Sequence, residues 1–147
     1  MNFEAFFSPW RPYLLSILRI MTALLFLEHA TQKLFGFPPS QFSPPLFSLF
    51  GLAGAIELVG SMLLIAGLFT RPVAFILSGE MAVAYFMVAA PHSFFPIVNH
   101  GDTEILFCFV YLYIATAGAG PWSLDHWRAT GSLSATASST KARAGIA

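Results

Sequence analysis

The sequence predicts an all-α fold, a four-helix transmembrane bundle running up-down-up-down, and three observations point there. The 147 residues are 56% hydrophobic and only 10% charged, whereas soluble domains carry about 25% charged residues. Long apolar stretches alternate with Pro- and Gly-rich breaks, the spacing of spans and loops. The first stretch, RPYLLSILRIMTALLFLEHATQKLF, is long enough to cross a bilayer and yet holds Arg19, Glu28, His29 and Lys33. A charge at the centre of a lone span costs about 2.5–3.5 kcal/mol on insertion scales. That helix therefore needs others to supply counter-charge, and the chain offers Glu57, Glu80 and Glu104.

Residues Met1 to Arg11 mix aromatics with Glu4, Trp10 and Arg11, a composition suited to the headgroup level. Helix one is expected from about Pro12 to Phe35, with Pro tolerated in a first turn. It is too long for a signal-peptide core and ends in His29 and Lys33, so it does not read as a cleaved leader. Gly36 to Pro45 contains Pro38, Pro39, Pro44 and Pro45 and cannot continue a helix. Phe37, Phe42 and Phe47 could dip into lipid from that loop. Helix two is expected over about Leu46 to Phe69, with Gly51, Gly54, Glu57 and Ser61 on one face at three- and four-residue spacing. The turn Thr70-Arg71-Pro72 is short, so helix three, about Pro72 to Pro91, should run antiparallel with Glu80 on its inner face. A punctuated loop with His92, His100 and Asp102 follows. Helix four is expected over about Thr103 to Ala117, stopping at GAGPWSLD. Residues 1–128 form one domain, and the Ser/Thr/Ala-rich 129–147 read as a disordered cytoplasmic tail,.

Arg11, Arg71, Arg128, Lys141 and Arg143 fall on one side of a four-span chain, and only Lys33 lies at the other. The positive-inside rule then puts both termini in the cytoplasm. The formal net charge of zero indicates no nucleic-acid partner. The single Cys108 excludes an internal disulfide or dithiol centre,.

At 1.5 Å of rise per residue, Arg19 lies about 10 Å and Glu80 about 12 Å from the cytoplasmic ends of their helices. Arg19, Glu57 and Glu80 are therefore expected to form a buried charge network. One guanidinium cannot neutralise two carboxylates, so one Glu is protonated or Lys or His joins. A second group is expected near the outer surface: His29 and Lys33 at i,i+4 spacing, Glu104 opening helix four, and His100 beside it. These four form a candidate substrate-binding rim. The competing reading is structural, with buried ion pairs fixing helix register. His92, His100 and Asp102 are more often solvated loop groups than ligands, and no metal site is expected. Sixteen phenylalanines would suit a quinone pocket, although ordinary lipid contact is the commoner reason for them.

The stretches LFLEHATQKLFGF with Arg19 before it, GAIELVGSMLLIAGLFTRPVA, and GEMAVAYFMVAAPHSFFPIVNHGDTEILFCFVYLYIATAGAGPWSLD stand in order from about Ser16 to Asp125. Together they resemble the DoxX family of small bacterial inner-membrane proteins. The family pattern usually has Gly after His29, where this chain has Ala30. The resemblance implies a four-helix membrane bundle with a role in oxidoreductase systems. Some relatives are linked to thiosulfate:quinone oxidoreductase subunits and others to soluble oxidative-stress enzymes. Motif positions Arg19, His29, Lys33, Glu57, Glu80, Glu104 and Asp125 match in place, without catalytic roles carried over. Three functions follow as expectations. The first is a redox subunit handling a quinone-like or sulfur-containing molecule, its electrons supplied by other redox-complex subunits. The second is a small-solute or proton binding or transport protein, which with four helices would work as a homo-oligomer. The third is an anchor for soluble redox enzymes.

Overall fold

The computed structural model describes residues 3–39 and 45–131. The expectations for Phe42, Pro44 and the tail with Lys141 and Arg143 lie outside the described residues. The chain is all-helical there: α1 (Phe3–Phe7), a 3-10 turn (Ser8–Trp10), α2 (Arg11–Phe35), α3 (Leu49–Ala66), α4 (Thr70–Ala84) continued by a π turn (Tyr85–Ala89), a short α5 (Pro96–Asn99) and α6 (Asp102–Ala117). A last helical stretch covers 124–131.

The helix boundaries have local causes. α2 stops at Gly36, whose φ of 66° sends its N–H back to Gln32, a turn that favours a residue without Cβ. The Ser48 hydroxyl accepts the Gly51 N–H and caps α3, which starts three residues later than Leu46. α3 ends on left-handed Gly67, with the Leu68 N–H bonded to the Leu63 carbonyl. The chain therefore reverses before Thr70, and Pro72 lies inside the first turn of α4 rather than in the connection. Proline is tolerated there because first-turn N–H groups have no helical partner.

Three segments are long and apolar enough to cross a membrane: Phe3–Phe35, Leu49–Ala66 and Thr70–Ala89. α6 has 16 residues, about 24 Å of rise against a hydrocarbon core of about 30 Å. It is shorter than a full span and packs against α4. Ser78 bonds the Cys108 carbonyl and Arg71 the carbonyls of Ala115 and Thr116, so α4 and α6 are antiparallel. α2 and α3 are antiparallel as well, with Arg19 against Leu64 and Ile65 and Lys33 against Gly54 and Glu57.

The core between them holds Phe26, Leu64, Leu77, Met81, Phe107 and Tyr111. Ser16, Arg19, Glu57 and Ser61 are as deeply buried, while Leu14, Met21, Leu52, Val59 and Phe75 face outward. Polar groups inside and large apolar groups outside invert the pattern of a water-soluble bundle and match a lipid-facing one. Gly60 lets α4 close in, since a Cβ there would stand 2.8 Å from Leu77.

Candidate functional site

The buried charges divide between the two ends of the bundle. At one end Arg19, fully buried, donates from Nε to the Ala119 carbonyl (2.9 Å), from Nη1 to those of Leu64 and Ile65, and from Nη2 to that of Trp122 (2.5 Å). The expected network of Arg19 with Glu57 and Glu80 is therefore corrected. The antiparallel register sets Arg19 against the last turn of α3. Glu57 lies seven residues back, about 10 Å along the axis. The last carbonyls of a helix have no intrahelical partner and carry partial negative charge. A guanidinium with five donors satisfies several at once.

The neighbouring helix ends are held in the same sense. Arg71 donates to the carbonyls of Ala115 and Thr116 at the end of α6. Asp125 accepts the N–H groups of Phe69 (3.0 Å) and Thr70 (2.8 Å) at the start of α4, and its own N–H returns to the Gly67 carbonyl. Burial pulls the Asp125 carboxyl up, but the N–H bonds of Thr70 and Phe69 outweigh it and hold it below the usual carboxylate range,. Cations at two helix C-termini and an anion at one N-terminus are each the sign the helix dipole favours.

At the other end, Lys33 of α2 pairs with Glu57 of α3, Nζ to Oε1 at 2.5 Å. This pair borders a cavity of about 780 Å³ that also takes in His29, Glu80 of α4 and Glu104 of α6. The rest of the wall is mainly apolar, including Phe26, Ile56, Met81, Met87 and Phe107. The His29 ring is solvent-accessible, with its edge toward Phe107 at 6.1 Å. Glu57 Oε2, both carboxyl oxygens of Glu80 and Glu104 Oε2 are buried without a hydrogen-bond partner. Buried acceptors are normally satisfied, so three residues of the cavity wall carry carboxyl oxygens that lack the usual partner. The π turn that follows Glu80 contributes Met87 and Val88 to the wall; such turns are frequent at functional sites.

Of the expected rim, His29, Lys33 and Glu104 share this cavity, joined by Glu57 and Glu80 from the other expected group. His100 does not line it. It is the exposed C-cap of α5, at φ 57°. Its loop is fastened instead by Asn99, whose side chain donates to the Ser93 carbonyl and accepts the Gly101 N–H. A Cβ on Gly101 would stand 2.7 Å from Tyr85 and Ala89, so the loop lies directly on the π turn. The Asn-His-Gly-Asp run signals such a turn, but nothing in it shows which way His100 faces. The aromatic walls Phe26 and Phe107 sit at ordinary helical spacing and carried no separate signal.

The DoxX family model matches residues 14–90, covering α2, α3 and α4, hence the Arg19 clamp and four of the five titratable cavity residues. An uncharacterized protein of Haemophilus influenzae is 44% identical over 126 residues, which is 80% of this chain and 92% of that one. No solved structure matches. Family match, apolar spans and a polar interior agree that this chain is a membrane protein of the DoxX family.

Proposed function

We propose that the protein is a four-span, up-down-up-down subunit of the bacterial inner membrane, both termini cytoplasmic. In this reading it takes a lipophilic small molecule with a polar head from the bilayer into the cavity. The supporting observation is that five titratable side chains from four helices meet in one mainly apolar cavity, with carboxyl oxygens on three of them left without partners. The cavity volume of about 780 Å³ falls in the range of small-molecule sites. A quinone-like molecule fits this division of apolar wall and polar end, and would supply two-electron, two-proton chemistry. The chain would then act as the membrane part of an oxidoreductase. Lys33 and His29 can donate to the head group, and Glu57 and Glu80 can hold or pass its protons. With the single thiol Cys108, a partner subunit or a second bound substrate exchanges the two electrons with the ligand, accepting them when a quinol is oxidised.

Quinol oxidation by the chain in native membrane vesicles, lost in Glu57→Gln or His29→Ala, tests the redox role. Retention of full turnover in both variants would contradict it. A second reading, proton transport, draws on Ser61. It is fully buried one turn beyond Glu57 toward the Arg19 end, and its hydroxyl has no partner. A pH-sensitive dye inside proteoliposomes distinguishes the two. Proton uptake without redox turnover that disappears in Ser61→Ala supports transport.

A further inference from the structure

We propose that the cavity selects hydrophobic cations, molecules with an apolar body and a protonated-amine or quaternary head. The inference deepens the reading of the cavity as a ligand site and names the charge of the head. It starts from a count of groups. Among the described residues, Glu57, Glu80 and Glu104 bring three carboxyls to the wall, Lys33 is its only fixed cation, and His29 completes the titratable set. Lys33 is already engaged with Glu57 Oε1.

Independently of the acidic count, Glu57 is itself a buried group in need of a partner. Its side chain is 1% exposed, the residue lines the cavity, and its Oε2 has no hydrogen-bond partner. Arg19 and Arg71 are committed elsewhere, donating to backbone carbonyls at the opposite end. The cavity is thus rich in acceptors and short of donors. An anion or a carbonyl head would add acceptors to that surplus, whereas a cationic head supplies the charge and, when it is an amine, the donors.

The test uses the full chain in nanodiscs of zwitterionic lipid, with empty nanodiscs as background. Three probes are compared: tetraphenylphosphonium, tetraphenylborate of the same shape and opposite charge, and a decyl-substituted benzoquinone that is neutral. We expect saturable tetraphenylphosphonium binding at least about tenfold tighter than tetraphenylborate, as a charge effect in a partly desolvated site requires. We expect Glu80→Gln, which removes a carboxyl that can ionise beside a bound cation, to weaken it by about tenfold or more and Glu80→Asp, which keeps a carboxyl, to retain most of it. Equal or tighter binding of tetraphenylborate would overturn the inference, and so would indifference of the cation to Glu80→Gln. The comparison of the two ions needs no variant and stands even where Glu80→Gln fails to fold. If the benzoquinone binds saturably and the cation does not, the charge assignment fails while the ligand-site reading survives. If none of the three binds saturably, both fail.

Discussion

Replacing Arg19 by Met separates the two ways its charge could be balanced. The guanidinium donates to four backbone carbonyls, those of Leu64, Ile65, Ala119 and Trp122. Methionine removes the charge and its burial cost together, leaving the carbonyls as the loss. At about 1 kcal/mol for each buried acceptor left unsatisfied, the penalty is roughly 3–4 kcal/mol. For a chain of this length that lowers the melting temperature by about 6–16 °C. The sharper signal lies in the double variants. With Arg19 bonded only to carbonyls, Arg19→Met and Glu57→Gln act independently, and their combined shift equals the sum within about 0.5 kcal/mol. Lys33→Met behaves differently. It strands the buried Glu57 carboxylate at a cost of about 3–5 kcal/mol, and Glu57→Gln in the same chain relieves most of that loss. Thermal unfolding of purified protein in mild detergent, followed by tryptophan fluorescence, reads wild type and every variant. Rescue of Arg19→Met by Glu57→Gln or Glu80→Gln would refute the reasoning, because it would show carboxylates to be the true partners of Arg19.

Asp125→Ala removes the cap of α4 and should cost about 1 kcal/mol. The Asp125 carboxyl titrates lower in the fold than in the unfolded chain, so its contribution is complete above an unfolded pKa of about 4 and fades as pH falls through the lower folded value. The melting-temperature gap between wild type and Asp125→Ala should therefore be steady from pH 7 to 5 and close in stronger acid. Gly120→Ala should destabilise by about 1–3 kcal/mol, because φ there is 74° and the new Cβ would stand 2.3 Å from the Ser16 hydroxyl; a melting curve unchanged from wild type would contradict the packing described. Met87→Trp narrows the cavity at an exposed wall position. It should abolish ligand binding in nanodiscs while leaving the melting temperature within about 2 °C, the scale of a surface change.

Much of this architecture is legible in the sequence because hydropathy and helix-breaking residues set the spans, and buried charge marks the inside. Arg19, Glu57 and Glu80 were placed inward for that reason, and α2, α3 and α4 follow the expected stretches within a few residues. Pairing was less legible. Depth counted along each helix put Arg19 level with Glu80, but a guanidinium can be satisfied by backbone carbonyls, which no side-chain pattern reveals. The same counting left Lys33 at an outer rim, whereas its long stem reaches Glu57 two turns inside α3. Asp125 stood only as a motif position, and its capping of α4 depends on a contact with a segment 55 residues earlier in the chain. The orientation of His100 depended on Asn99 and Gly101 folding its loop onto the π turn, and that contact joins segments far apart in the pattern. The fourth apolar stretch folds as the 16-residue α6, whose short length hydropathy alone did not fix.

The direct test of the ligand-site claim is an experimental density map of the full chain, purified from its own membrane into nanodiscs, at a resolution that shows side chains. The account predicts non-protein density in the cavity lined by Glu80, Met87 and Phe107, its polar end within about 3.2 Å of the Glu80 carboxyl. A map in which Glu80 has swung onto Lys33 and the helices have closed over the space would contradict it.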